Sequence, residues 1–157
     1  MATTFNPEAR LADLNHRRVR GMASNESEAR VRIQNSADIM AARQRGRAVA
    51  LQGGFTNSDL TIIATAIYEV ARNIVEHADE GEITIALIDD AHKRGVEIVA
   101  SDRGPGIGDI SLVMRDGFST GSGLGIGLPG AKRLMDEFEI ASELGKGTTV
   151  RMKKWAT

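Results

Sequence analysis

Apolar and polar positions change their period several times along this chain, and each change marks an element. Val31 and Ile33 alternate with Arg30, Arg32 and Gln34, the period-two signature of an edge or half-buried strand. Ser36 can then cap a helix running through Ile39, Met40, Ala42, Ala48, Val49 and Leu51 to a stop at Gly53-Gly54. A second helix starts at Asn57 or Ser58 and reaches about Ala78. Its Leu60, Ile63, Ala66, Ile67, Val70, Ile74 and Val75 form a wide apolar stripe at helical spacing, which reads as core. Ile83, Ile85 and Leu87 alternate as a strand, Asp89–Gly95 reads as a turn, and Val96, Ile98 and Ala100 form a strand ending at Asp102. Leu128–Phe138 reads as a helix. Short strands follow around Phe138–Ser142 and Thr148–Lys154, joined by Gly145-Lys146-Gly147.

Strands therefore fall in hairpin-like pairs between helices. The order predicts a layered α/β (α+β) two-layer sandwich, a mixed β-sheet with helices on one face. Residues 1–28 stand apart. They lack sustained apolar periodicity and carry the basic run His16-Arg17-Arg18-Val19-Arg20. Ala9, Leu11, Ala12 and Leu14 allow a short helix over Glu8–Arg18, but the segment reads as a disordered N-terminal tail, with a docking arm as the alternative. Residues 29–157 read as one domain, the number that 157 residues suggests.

Composition removes whole classes of function. A net charge of −1 leaves no electrostatic footprint for nucleic acid or an anionic membrane. One Trp and one Tyr offer little for base stacking. The lack of cysteine removes disulfides, thiol nucleophiles and thiolate metal sites. No apolar run approaches the roughly 20 residues that span a bilayer, and no signal-peptide core opens the chain, so a cytoplasmic location is the default expectation.

Three constellations carry candidate chemistry. On the long helix, Glu69, Asn73 and His77 are spaced four apart and share one face. A carboxylate and an amide oxygen one turn apart can together hold Mg²⁺ through oxygen and water ligands. The alternative is a solvated Glu–Asn pair, and His77 suits the cation-favouring end of the helix better than catalysis. Next, Asp102-Arg103-Gly104-Pro105-Gly106 places a carboxylate at a strand end, followed by backbone that can approach a ring. Such a carboxylate accepts from an adenine amino group and repels a guanine carbonyl; an ordinary Asx turn is the competing explanation.

The third constellation is glycine-rich. Gly104 to Gly130 holds nine of the seventeen glycines. Each costs roughly 0.5–1 kcal/mol against alanine inside a regular element, so the cluster needs a reason. Glycines alternate from Gly121 to Gly127 and lead into a helix, whose unpaired N–H groups suit phosphate. There is no Walker-type Gly-Lys-Ser/Thr ending. Gly125-Ile126-Gly127-Leu128-Pro129-Gly130 matches a dinucleotide fingerprint, but that fingerprint must directly follow a strand, and Phe118-Ser119-Thr120 is not strand-like.

Order and spacing add what no single motif carries. Glu69/Asn73, then Asp102/Gly104/Gly106, then the glycine run, then Gly145-Lys146-Gly147-Thr148 together resemble the four boxes of the GHKL (Bergerat-fold) ATPases. Within that superfamily, Ala41-Ala-Arg43-Gln-Arg-Gly46, Glu69-Val-Ala-Arg72-Asn73, Asp116-Gly-Phe-Ser-Thr120, the run Gly125 to Phe138 and Lys154-Trp155 resemble the RsbT-type switch serine/threonine kinases of the bacterial stressosome. The resemblance covers roughly residues 29–157.

That resemblance implies an ATP- and Mg²⁺-dependent kinase that phosphorylates serine or threonine on STAS-domain partner proteins and, once released, activates a PP2C-type phosphatase. It implies Asn73 as a Mg²⁺ ligand, and Glu69 as the catalytic group that orients or deprotonates the hydroxyl and could reach the metal through water. Asp102 would pair with the adenine amine, with Gly104 and Gly106 beside the ring and Thr148 supporting the contact. Ser119, Thr120, Gly121, Gly123, Leu124, Gly125 and Gly127 complete the nucleotide-binding set, the glycines offering N–H groups to phosphates. An anti-sigma-factor kinase of the same superfamily and a non-catalytic nucleotide-regulated binding module remain as alternatives. The ATP-binding half of a histidine kinase is a third, although no phosphoacceptor helix pair precedes the domain.

Overall fold

The computed structural model describes residues 27–108, 110–114 and 126–156. Strand β1 (Glu28–Ile33) leads into helices α1 (Ser36–Gln52) and α2 (Asn57–His77). Strands β2 (Gly81–Asp90) and β3 (Lys93–Asp102) follow, then the single turn α3 (Ile110–Val113), helix α4 (Gly127–Leu134), and strands β4 (Glu137–Glu143) and β5 (Gly147–Trp155). The five strands form one sheet in the order β1-β2-β3-β5-β4.

Every pairing in that sheet is antiparallel, where the sequence suggested a mixed sheet. The reason is topological. The β4–β5 hairpin folds back so that β5 inserts between β3 and β4, and these two run the same way without touching. The α/β sandwich itself is as expected.

Element ends follow hydrogen bonds that spacing alone does not reveal. Helix α1 is capped by Asn35, not Ser36: Asn35 Oδ1 accepts from the Asp38 N–H at 3.1 Å, and the Asp38 carboxylate accepts from the Asn35 N–H at 3.2 Å, a reciprocal capping box. Thr56 caps α2 by accepting from the Asp59 N–H at 3.1 Å. Helix α4 ends at Leu134, short of the expected Phe138, because the sheet takes the chain over. The Asp136 N–H donates to the Lys153 carbonyl at 3.0 Å, and the Asp136 carboxylate accepts from the Trp155 N–H at 2.7 Å. The β2–β3 hairpin turns tightly at Ala91-His92, with Asp90 opposite Lys93.

The core lies between the helices and one face of the sheet. Leu60, Ile63, Ile67, Val70 and Ile74 of α2 are almost fully buried, as are Ile83, Ile85, Ile98 and Met152 opposite them. Burying such a side chain contributes about 1.5–3 kcal/mol. Helix α1 contributes small residues instead, Ala42, Gly46 and Ala50, all buried. A Cβ on Gly46 would run into the Ile67 side chain, so glycine sets how closely α1 approaches α2.

Candidate functional site

The α2 stripe turns its apolar side to the sheet, which leaves the Glu69/Asn73 row facing along the helix flank toward α4. Glu69 is only 6% exposed. Its two oxygens accept from the backbone N–H groups of Ile126 (3.3 Å) and Gly127 (3.0 Å). Those N–H groups open α4, whose own N-cap, Ile126, has no side-chain cap bond. A carboxylate there satisfies orphan donors and meets the positive end of the helix dipole. Asn73 lies one turn further on and is half-buried. His77 sits in the last turn of α2 as expected, its Nε2 3.9 Å from a Glu76 oxygen. On the same stretch of α2, Arg72 donates to Glu76 at 2.8 Å, and this bond raises the Arg72 pKa above its ordinary value against the opposing effect of burial.

The second half of the site is at the end of β3. Asp102 Oδ1 accepts from the Gly104 N–H at 2.9 Å and the Thr148 N–H at 3.3 Å. Oδ2 has no hydrogen bond among the described residues. The carboxylate is thus oriented by one oxygen and open at the other. Thr148 supports Asp102 through its backbone, since its hydroxyl is engaged elsewhere. Ser142 Oγ donates to the Gly147 carbonyl at 3.0 Å and accepts from the Ile107 N–H at 2.7 Å. With its one proton spent, Ser142 must accept from Thr148 Oγ1, 2.8 Å away.

Two glycines here are required by protein contacts. Gly106 has φ +77°, and a Cβ on it would meet the Glu143 carbonyl; Gly147 has φ +103° and would meet the Asp102 carbonyl. A Cβ on Gly104 would press on Ala78 at 2.7 Å. These close approaches join the strand end, the β4–β5 turn and the end of α2 into one cluster. Gly147 falls in the Gly145-Lys146-Gly147-Thr148 segment picked out in the sequence, whereas Ser142 was not singled out as a site residue; its place as a small polar residue just before that segment is the signal that could have found it. Ser119, Thr120, Gly121, Gly123, Leu124 and Gly125 lie outside the described residues. Gly127 is described, and its N–H is given to Glu69.

An open cavity of about 760 Å³ adjoins this cluster, walled by residues that include Gln34, His77, Glu80, Arg103, Gly104 and Gly145. It shares Gly104 with the cluster, but Glu69, Asn73 and Asp102 do not line it, so it is not the site described here. Among the described residues no three His, Cys, Asp or Glu side chains gather as a metal cage. Glu69 and Asn73, one turn apart on α2, offer a carboxylate and an amide, a donor set of the size that a hydrated cation needs. Mg²⁺ commonly takes one or two protein oxygens and fills its octahedron with water and phosphate.

Residues 34–154 match the histidine kinase-like ATPase domain. The chain belongs to that family. It is 54% identical over 125 residues to the serine/threonine-protein kinase RsbT of Bacillus subtilis (strain 168), covering 80% of this chain and 94% of that protein. It is 36% identical over 120 residues to an anti-sigma F factor of Thermoanaerobacter sp. (strain X514), covering 73% and 82% respectively. A solved mycobacterial sensor histidine kinase, MprB, aligns over 82% of this chain and 97% of its own at 17% identity, with a TM-score of 0.49. Membership of this ATPase family, with the identity to RsbT, makes the chain an ATP-using protein kinase. No helix of the described residues is long and apolar enough to cross a membrane.

Proposed function

We propose that this kinase phosphorylates serine or threonine on STAS-domain partner proteins in a bacterial partner-switching pathway, and that once released it engages a PP2C-type phosphatase in the cytoplasm. The observation that carries the nucleotide half of this reading is Asp102, braced at Oδ1 and open at Oδ2. An acceptor fixed at a strand end selects a ring bearing an amino donor. The likeness to RsbT supports the protein-substrate half.

The residues divide the work as follows. Asp102 holds the base, with Gly104, Gly106 and the Thr148 N–H keeping its carboxylate in place. Asn73 would hold Mg²⁺, with Glu69 beside it; bound Mg-ATP would supply the transferable phosphoryl group and the charge that neutralises it. Gly127 and, in the glycine run, Ser119, Thr120, Gly121, Gly123, Leu124 and Gly125 contribute backbone donors and room around the phosphates. Glu69 orients the partner's hydroxyl and takes its proton as the oxygen–phosphorus bond forms and ADP departs. Each of its oxygens retains a lone pair beyond the N–H bond it accepts, so the capping role does not prevent the chemical one.

The test is transfer of labelled phosphate from ATP to a purified STAS protein, with and without Mg²⁺. Metal-dependent labelling of serine or threonine is expected, and no labelling of any STAS protein would overturn the substrate assignment. Asp102→Asn should weaken ATP binding at least tenfold by calorimetry while the fold stands, because an Asn oxygen can still accept from Gly104 and Thr148. The likeness to anti-sigma F factors favours a second reading, in which the chain also sequesters a sigma subunit. Capture of purified sigma factor in the presence of ATP would establish it.

A further inference from the structure

Three neighbouring strands of the sheet end in polar residues. Ser142 of β4 lies opposite Thr148 of β5, and continuing the β3–β5 register one residue past Ser101 and Thr149 sets Asp102 beside Thr148. Two residues away along the same strands, Ile140, Val150 and Ala100 all pack with the core under the helices. Side chains of a strand return to the same face at every second residue. Asp102, Thr148 and Ser142 therefore form one polar row on the helix side of the sheet.

Proton accounting gives this row a direction. A hydroxyl has one proton to donate and two lone pairs to accept with. Ser142 Oγ donates to the Gly147 carbonyl at 3.0 Å, accepts from the Ile107 N–H at 2.7 Å, and takes its third bond from Thr148 Oγ1 at 2.8 Å. It is saturated. The Thr148 proton is thereby committed to Ser142, and only lone pairs remain on the Thr148 oxygen for anything else. Asp102 Oδ2, a carboxylate oxygen, is likewise an acceptor. The Asp102 end of the row holds acceptors and no donor.

We infer that Ser142 is a positioning residue that sets base selectivity. By consuming the Thr148 proton it keeps the row free of donors, so the site takes a purine with an amino group facing Asp102 and rejects one with a carbonyl there. This rests on the proposed seat of the adenine at Asp102. Ser142 acts through Thr148 and need not touch the nucleotide. A ring carbonyl in place of the amine would give up its hydrogen bonds to water and find none in exchange. Without Ser142 the Thr148 hydroxyl is free to turn. Aimed at the base, it would donate to a carbonyl; aimed at Asp102, it would occupy the acceptor that an amine needs. Both turns narrow the gap between the two kinds of purine.

Calorimetry with ATP and ITP reads the effect, because ITP carries a carbonyl where ATP carries the amine. The wild type should prefer ATP, and Ser142→Ala should lower that preference about tenfold, the scale of one buried polar group gaining or losing its partner. Ser142→Thr keeps the hydroxyl and should hold the wild-type preference. Ser142→Cys fills the same space with a weak acceptor and should show the loss where the alanine variant does not fold. Loosening of the β4–β5 turn, by contrast, would weaken both nucleotides alike. The separating measurement uses Thr148→Val, which has no proton to redirect: in that background Ser142→Ala should leave the ATP-to-ITP ratio unchanged. A ratio that falls equally in both backgrounds would overturn the inference, as would a ratio that Ser142→Ala does not move in the wild type. Equal affinity of the wild type for ATP and ITP would remove the adenine from Asp102, and this inference with it.

Discussion

The carboxylate of Glu69 accepts a 3.0 Å hydrogen bond from the N–H of Gly127, fifty-eight residues further along the chain. One side chain of α2 thereby caps α4, a helix that has no cap of its own. Two consequences can be separated by choice of substitution. Glu69→Ala removes both acceptors and should destabilise the protein by about 1–2 kcal/mol, the usual effect of losing a helix cap. Glu69→Gln keeps one acceptor and should recover part of that loss in urea unfolding. Both variants lose the carboxylate as a proton acceptor, so phosphate transfer should fall about 10²–10⁴-fold in each. A Gln variant that transfers phosphate at the wild-type rate would remove Glu69 from the chemistry and leave it as a cap alone.

The same contact bears on nucleotide affinity. N–H groups at the start of a helix favour an anion, and here Glu69 supplies it. A triphosphate reaching Ile126 and Gly127 must displace that carboxylate or share the donors with it. Glu69→Ala is therefore expected to bind ATP more tightly than the wild type, with a smaller gain for ADP, whose shorter tail makes less use of these donors. Calorimetry with both nucleotides decides the matter. Equal affinity of wild type and variant for ATP would mean that phosphates and carboxylate do not compete.

How far the sequence revealed this arrangement depended on how local each feature is. The α2 stripe was legible because Leu60, Ile63, Ile67, Val70 and Ile74 recur at helical spacing and are all buried. Helix α1 was less so. Its large apolar Met40 and Leu51 are 44% and 59% exposed, while the face that meets α2 is built from Ala42, Gly46 and Ala50, which carry little hydrophobic signal. The outer half of the β2–β3 hairpin was hidden for a related reason. Asp89, Asp90, Lys93 and Arg94 pair as strand beyond the apolar face, so no alternation marks them. In the site, glycine spacing located the segments around Asp102. The partner of Glu69 stayed invisible, because periodicity gives the helix face a residue occupies and not the backbone that arrives there.

Acid should release a different tie. Arg32 donates to Glu80 at 2.6 Å, and Gln34 donates to the same oxygen at 3.2 Å, pinning the segment after α2 to the end of β1. The hydrogen bond from Arg32, followed by that from Gln34, lowers the Glu80 pKa below its ordinary 4.5. A carboxyl whose pKa is lower in the folded state stabilises that state above the unfolded pKa and ceases to do so as pH falls through the folded one. Glu80→Gln should therefore lower the unfolding midpoint slightly at neutral pH, the effect being small because both side chains are exposed. The difference from wild type should vanish in strong acid. A constant offset at all pH values would show that the ion pair contributes nothing.

Gly145 and Gly147 flank one lysine in the β4–β5 turn and give a paired test of how the Asp102 carboxylate is held. Both have left-handed backbone, φ +80° and +103°. Their surroundings differ: a Cβ at Gly145 would meet open space, whereas one at Gly147 would collide with the Asp102 carbonyl and come within 2.8 Å of Arg103 Cα. Gly145→Ala should cost only the backbone strain of an L-residue there, roughly 1–2 kcal/mol, and leave ATP affinity unchanged. Gly147→Ala carries the same strain and must also push the end of β3 outward. It should destabilise by at least about 2 kcal/mol more, and it should weaken ATP binding, because moving Asp102 breaks its alignment with the Thr148 N–H. Urea unfolding and calorimetry on the two variants read both effects. If Gly147→Ala loses stability but binds ATP as the wild type does, the position of Asp102 does not govern nucleotide recognition, and the base must be held by other groups.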